Sequence, residues 1–188
     1  EFQGEIEVFE LCVGPSSSIT RIDDGEQIRV VEGLPSIWNG ADGTGAHDVT
    51  FDDEGNMYVV IGMGGAPEMR DVFGEAGELL ATVVRVDDDD DDVTLIADLA
   101  EYEAMENPDP AFLDTNPYAI DFDGEDLIVV DAGGNSLLRV DPDSGDIETI
   151  AVFPARMVPA PPFIPAEEIP MESVPSDVVV GPDGNYYV

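Results

Sequence analysis

The chain has 188 residues, of which 43% are hydrophobic, so it is long and apolar enough to bury a core of its own. Its 43 aspartates and glutamates face only 6 basic residues, all of them arginines, and the formal net charge is -37. A field of that sign repels nucleic acids and anionic membrane surfaces, so neither is an expected partner. The sequence holds no run of about 18 apolar residues, so no membrane span is predicted.

The first predicted elements are two strands, at 18–22 and 28–32, with a turn at 23–25 between them. A longer unit then recurs at 46–60, 117–130 and 175–188. Each copy is an alternating apolar strand, an acidic turn that contains glycine, and a second strand rich in β-branched and aromatic residues. Val49, Ile120 and Val178 occupy equivalent places in the three copies. A repeat of this kind indicates one supersecondary unit used several times.

After each of the first two copies the chain continues into another strand pair. One pair is predicted at 79–86 and 93–97, across six aspartates at 87–92, and the other at 136–140 and 147–152. Four antiparallel strands per unit, with Gly/Asp turns, are typical of a propeller blade. We therefore expect an all-β fold, a partial β-propeller with about three blades of a six-bladed ring. One short helix is inserted at 98–106, with Asp98 as its N-cap.

The whole chain, 1–188, is predicted to be a single piece of β-propeller. The predicted blade parts lie at about 1–45, 46–97, 117–152 and 175–188, with insertions at 98–116 and 153–174. The second insertion is rich in proline and aliphatic residues, so we expect an ordered, extended connection that covers one face. The chain begins without methionine and stops inside a strand-like run. Further blades of the same chain are therefore expected to complete the ring.

Several short motifs follow one another in a specific order along nearly the whole sequence. They read CVGP at 12–15, VEGLPS at 31–36, GTGAHDV at 43–49, DTNPY at 114–118, DAGGN at 131–135 and VPAPPF at 158–163. This order resembles the ScyD/ScyE-like family of the scytonemin cluster, whose repeats are similar in style to NHL and SMP-30-like propellers. The resemblance implies an exported propeller, extracellular or at the cell surface, of unestablished activity. Family members often carry a second cysteine before Cys12, which is absent here, so no disulfide is transferred.

Residues just before each innermost strand of a propeller surround the mouth of its central channel, where ligands usually bind. The repeat places His47, Tyr118 and Ser176 at one such position, and Asp48 and Asp177 at the next. Further polar residues lie at strand ends or turns that could join this rim. The full set of candidate binding residues is His47, Asp48, Asn116, Tyr118, Asp131, Asn135, Ser176 and Asp177.

Three functions are compatible with this pattern. The favoured one is binding of a small molecule or a protein partner at the channel mouth, and no catalytic residue is assigned. The second is a metal-dependent hydrolase or lactonase similar to the SMP-30 propellers, with His47 as a general base and Asp131 and Asn116 as weak ligand candidates for Ca²⁺ or another divalent cation. The third is an extracellular matrix or surface scaffold.

Several polar, acidic and glycine-rich segments of the sequence have a purely structural interpretation. The acidic segments at 121–126 and 141–146 are interpreted as turns rather than calcium loops, because neither carries the glutamate that completes an EF-hand, and 87–92 is interpreted as a solvated turn. The DAGGN segment at 131–135 is interpreted as a turn formed by side-chain to backbone hydrogen bonds and glycine freedom rather than as a metal site. The glycines at 62–65 lack the Lys-Ser/Thr of a phosphate loop and are interpreted as a strand exit. Trp38 is assigned to loop packing rather than to a ligand platform.

The charge predicts adaptation to high salt. Repulsion among the carboxylates destabilises the compact chain at low ionic strength, and salt screens it. The melting temperature is therefore expected to rise with NaCl concentration in a thermal denaturation series. A melting temperature that stays constant or falls as salt increases would contradict this prediction.

Overall fold

The computed structural model describes residues 11–40, 42–87 and 92–188 and shows an all-β chain. In these ranges the strands form two four-stranded sheets, one three-stranded sheet and two short two-stranded sheets, all antiparallel. No helix among these residues is long and apolar enough to cross a membrane.

The first sheet is a long hairpin with a short third strand. Its strands are β1 (Cys12–Asp23), β2 (Glu26–Trp38) and β3 (Gly43–Thr44). The hairpin turns at Asp24 and Gly25, where both φ angles are positive, at 48° and 85°. Such a pair of residues suits the turn that joins two twisted strands tightly. The predicted strands 18–22 and 28–32 are confirmed and extend further in both directions.

The two predicted four-strand units are confirmed as two sheets whose strands pair in chain order. One holds β4 (Ala46–Phe51), β5 (Met57–Ile61), β6 (Thr82–Val86) and β7 (Val93–Asp98). The other holds β8 (Pro117–Phe122), β9 (Leu127–Asp131), β10 (Ser136–Val140) and β11 (Ile147–Val152). The third copy of the repeat forms a smaller sheet of β14 (Val179–Val180) and β15 (Tyr186–Tyr187).

Among the described residues there are two short α-helices rather than the one predicted. Helix α2 (Leu99–Glu106) begins as expected, because the Asp98 side chain accepts a hydrogen bond from the Glu101 N–H at 2.9 Å. Helix α1 (Met69–Phe73) lies between β5 and β6 and buries none of its residues, so it leaves no apolar periodicity in the sequence. Arg70 of α1 joins the two helices by donating to both carboxylate oxygens of Asp98 at 2.7 Å.

The proline-rich segment differs from its prediction. It folds into a hairpin of β12 (Arg156–Pro159) and β13 (Glu168–Met171) instead of a simple extended connection. No residue from 154 to 174 is buried, and Phe163 near the hairpin tip is 84% exposed. The segment therefore does not cover a face of the sheets within the described structure.

Apart from the β12–β13 hairpin, the sheets stack face to face in chain order, with an apolar layer between each neighbouring pair. In β5, Val59 packs toward the first sheet and Val60 toward the β8–β11 sheet. In β9, Val129 packs toward the β4–β7 sheet, whereas Ile128 packs with Val178 beside β14. Both faces of these second strands are buried, which explains why their sequences are continuously apolar.

Two aspartates join the first strands of neighbouring sheets. One carboxylate oxygen of each accepts a hydrogen bond from the N–H of the next residue in its own strand, at 2.8 Å in both cases. The other oxygen of Asp48 accepts from the Ile120 N–H at 3.0 Å, and that of Asp121 accepts from the Val180 N–H at 2.8 Å. These bonds place β4, β8 and β14 side by side.

Replacing Asp48 or Asp121 by alanine should destabilise the fold by about 1–3 kcal/mol each, because a backbone N–H between two sheets loses its acceptor. The free energy of unfolding can be measured by urea denaturation at constant high salt. Asp53→Ala is the matched control, since Asp53 is exposed in a turn and its loss relieves the same charge repulsion. Equal effects of all three variants would contradict the assigned bonds.

Candidate functional site

A cleft of about 350 Å³ opens where β4 and β8 begin. Its lining combines one aromatic pair, a group of polar side chains and an apolar wall. The side chains that line it include His47 and Tyr118, then Asn39, Asp42, Thr44 and Asn116, then Leu11, Ile37, Met63 and Met69. The residues come from the first sheet, the β5–β6 connection and the starts of two strands, so the cleft exists only in the folded chain.

Two equivalent β-bulges bring the aromatic pair together. The pairing of β4 with β5 skips His47, and the pairing of β8 with β9 skips Tyr118 at the corresponding place. A bulged residue is left out of the ladder, and its side chain can turn away from the regular faces of the sheet. The two rings lie 4.5 Å apart, centroid to centroid, at an interplanar angle of 41°. The sequence repeat predicted the equivalence of these residues but not the bulges.

Both ring nitrogens of His47 are engaged. Nδ1 lies 2.9 Å from the Pro117 carbonyl oxygen, which can only accept, so we infer that Nδ1 carries the proton. Nε2 lies 2.9 Å from the Thr44 hydroxyl, which donates to it in the neutral ring. The geometry therefore supports a structural role for His47, holding Tyr118 and its strand in place.

Asn116 presents a hydrogen-bond donor to the cleft. Its carboxamide oxygen accepts from the Met63 N–H at 3.2 Å, and its backbone N–H donates to Asp131 at 2.7 Å. The carboxamide nitrogen makes no hydrogen bond to the described residues. Gly62 lies against this side chain, since a Cβ at Gly62 would come within 2.6 Å of its oxygen and would also collide with His47.

The glycine segment at 62–65 is not an open phosphate cradle. Its four backbone N–H groups donate in turn to Gly45 O, Asn116 Oδ1, Thr115 O and Asp114 Oδ1, at 2.7–3.2 Å. Three of these bonds tie the segment to the connection that precedes β8, and the bond of Gly62 ties it to the residue before β4. This bonding agrees with the interpretation of the segment as a strand exit, and it fixes one wall of the cleft.

Asp131 lies outside the cleft, at 1% exposure. Its Oδ1 accepts from the N–H groups of Asn116, Gly133 and Gly134 at 2.7–3.0 Å, and its Oδ2 accepts from the Thr115 hydroxyl at 2.6 Å. Burial raises the pKa of Asp131, although these bonds favour the carboxylate. This pattern of hydrogen bonds is typical of a turn. Asn116 donates its backbone N–H to Asp131 and does not place a second oxygen ligand for a metal ion beside it.

The remaining predicted residues do not line the cleft. Asn135 is buried with a left-handed φ of 47°, and its carboxamide donates to Asp109 and accepts from the Val174 N–H. Ser176 and Asp177 are exposed, and Asp177 accepts from the next backbone N–H at 2.9 Å.

Asp48 forms the bond between sheets described above. The structure thus brings together three of the predicted residues, His47, Asn116 and Tyr118.

The acidic segments form turns at 123–126 and 141–146, whereas Asp121 and Phe122 of the predicted turn 121–126 belong to β8. Asp123 and Asp141 each accept hydrogen bonds from backbone N–H groups two and three residues further on. Residues 88–91 of the aspartate run lie outside the described residues, and Asp87 donates its N–H to the Asp92 carbonyl across them. In the described ranges, no group of three or more His, Cys, Asp or Glu side chains is arranged to hold a metal ion.

Comparison with known proteins gives no relative for this chain. No family model matches it, and no match is found among curated proteins or among solved structures. The resemblance to the ScyD/ScyE-like family therefore stays a prediction. The function has to be argued from the residues of the chain itself.

Sequence reasoning missed one buried glutamate. Glu103 of α2 is 3% exposed and faces Asp131, Asp114 and Asp109. Burial, followed by repulsion from these carboxylates, raises the pKa of Glu103 to about 7. Its helix carries other acidic residues at 101 and 106, and nothing in that pattern distinguishes the one that the fold buries. Only contacts distant in sequence identify it.

Glu103 should make stability fall as pH rises from about 4.5 to about 7. The folded chain retains a proton there that the unfolded chain releases, so the carboxylate costs roughly 3 kcal/mol above pH 7. Glu103→Gln should remove this slope, measured as unfolding free energy against pH. Glu101→Gln, an exposed position on the same helix, is the control and should retain the slope. Parallel pH profiles for the wild type and Glu103→Gln would contradict the prediction.

Proposed function

We propose that the stacked sheets are successive blades of a β-propeller and that the cleft binds a small molecule at the mouth of its channel. Two arrangements support the blades. Four-stranded sheets follow one another in chain order with apolar layers between them, and their first strands are neighbours through Asp48 and Asp121. A propeller uses such first strands as the lining of its axis.

The position of the connections also supports this proposal. The residue pairing puts the long connections 62–81, 99–116 and 153–178 at the end of the sheets where β4 and β8 begin. The opposite end carries the short acidic turns, such as 52–56, 123–126 and 141–146. Long loops on a rigid scaffold are where binding residues concentrate. The cleft lies at that end.

The chemistry of the cleft favours binding over hydrolysis. Its volume of about 350 Å³ falls in the range of small-molecule sites, about 300–1,000 Å³. Tyr118 remains 42% exposed, so a ligand can cover its ring, and Asn116 supplies a donor. The metal site of the alternative hydrolase lacks support, because Asp131 lies outside the cleft and is enclosed by four donors.

We also propose a family, a location and a class of ligand charge for this chain. The ordered motifs from CVGP to VPAPPF support a place in the ScyD/ScyE-like family, and with it an extracellular or cell-surface location. The field of the chain disfavours anionic ligands, so the bound molecule is neutral or positively charged. The exposed ring of Tyr118 at the start of β8 is the observation that carries the binding function.

Saturation-transfer NMR can test this function with a mixture of three probe classes: methyl glucosides, aromatic alcohols and alkylammonium ions. At least one class should receive saturation from the protein. Tyr118→Ala should weaken that binding about tenfold, because the ligand loses its ring contact. Tyr187→Ala is the matched control, since Tyr187 is 54% exposed on β15 and does not line the cleft.

Two results would contradict the proposed function. One is the absence of transfer to all three classes. The other is binding that Tyr118→Ala and Tyr187→Ala weaken equally, because such a ligand would not occupy the cleft.

A further inference from the structure

The cleft contains one carboxylate and no arginine among its described lining residues. Asp42 supplies the carboxylate, and its side chain forms no ion pair with any described arginine. Its backbone is anchored in a tight turn, where its N–H donates to Asn39 Oδ1 at 2.7 Å and its carbonyl accepts from the Asn39 N–H at 3.1 Å. The carboxylate of Asp42 therefore lies beside the cleft without an arginine counterion among the described residues.

The wall around this charge is polarizable rather than polar. The aromatic ring of Tyr118 is packed against His47, and the thioethers of Met63 and Met69 line the same space. A cation is attracted to the face of a tyrosine ring, and methyl groups carried by that cation pack well against methionine. A neutral ligand of the same shape would contact the same side chains without the electrostatic attraction to the ring.

A bare metal ion fits this arrangement poorly. Calcium requires six to eight oxygen ligands, and the described lining supplies one carboxylate with a few amide and hydroxyl groups. Asn116 directs its carboxamide oxygen to Met63 N–H, and the Thr44 hydroxyl is bonded to His47. An organic cation with a methylated head needs no such oxygen shell and can cover the apolar wall.

We propose that the cleft selects a small organic cation with a methylated ammonium head, an inference that rests on the proposed binding function. Asp42 compensates the charge, and Tyr118 contacts the head. The net charge of -37 raises the local concentration of such cations further.

The test compares choline with its uncharged carbon isostere, 3,3-dimethylbutan-1-ol, by isothermal titration at constant ionic strength. The two probes have the same shape, so charge alone separates them. Choline should bind about tenfold more tightly, and Asp42→Asn should remove most of that difference while leaving the isostere unchanged. Asp53→Asn is the matched control, because it removes one charge from an exposed turn outside the cleft.

Equal affinity for the two probes would overturn the inference, as would an equal loss of choline binding in Asp42→Asn and Asp53→Asn. So would the absence of choline binding. In each case the proposed function would still stand if a neutral probe bound in a manner that depends on Tyr118. Loss of Tyr118-dependent binding for every probe would instead remove the function itself.

Discussion

Strands β4 and β8 lie side by side without a shared backbone ladder, so side chains must supply the polar contacts between them. Asp48 accepts the N–H of Ile120, and His47 bonds the carbonyl of Pro117, so the two strands begin at the same level. Asp121 repeats the first of these contacts toward Val180. The cleft depends on this alignment, because the aromatic pair meets only when both strands start together.

Some of the acidic side chains also stabilise the fold. Exposed aspartates close the short turns: the backbone N–H of Ser144 lowers the pKa of Asp141, and the side chain of Asn185 lowers that of Asp183. These groups favour the folded chain above their unfolded pKa, and that contribution is lost as pH falls through the folded value. Glu103 acts in the opposite direction, because burial raises its pKa. The stability of the fold therefore depends on carboxylates with lowered pKa values, on one with a raised pKa, and on charge repulsion among carboxylates that salt screens.

The sequence was sufficient to predict the two four-stranded sheets and the first hairpin, because alternation and acidic turns mark each of these strand pairs locally. It also placed His47 and Tyr118 at equivalent positions. It could not show their bulges, since a bulge is defined by the pairing of two strands. The bond of Asp121 to the next sheet was not predicted, because Thr50 and Val179 occupy its place in the other two copies of the repeat. Local patterns likewise missed α1, which buries nothing.

Two-dimensional NOE spectroscopy tests the central arrangement most directly. His47 is the only histidine, so its ring protons can be assigned without ambiguity. Its ring should show strong cross-peaks to one tyrosine ring, 4.5 Å away between centroids, and Tyr118→Leu should abolish them. An imidazole without aromatic cross-peaks, or cross-peaks that persist in Tyr118→Leu, would contradict the alignment of β4 and β8.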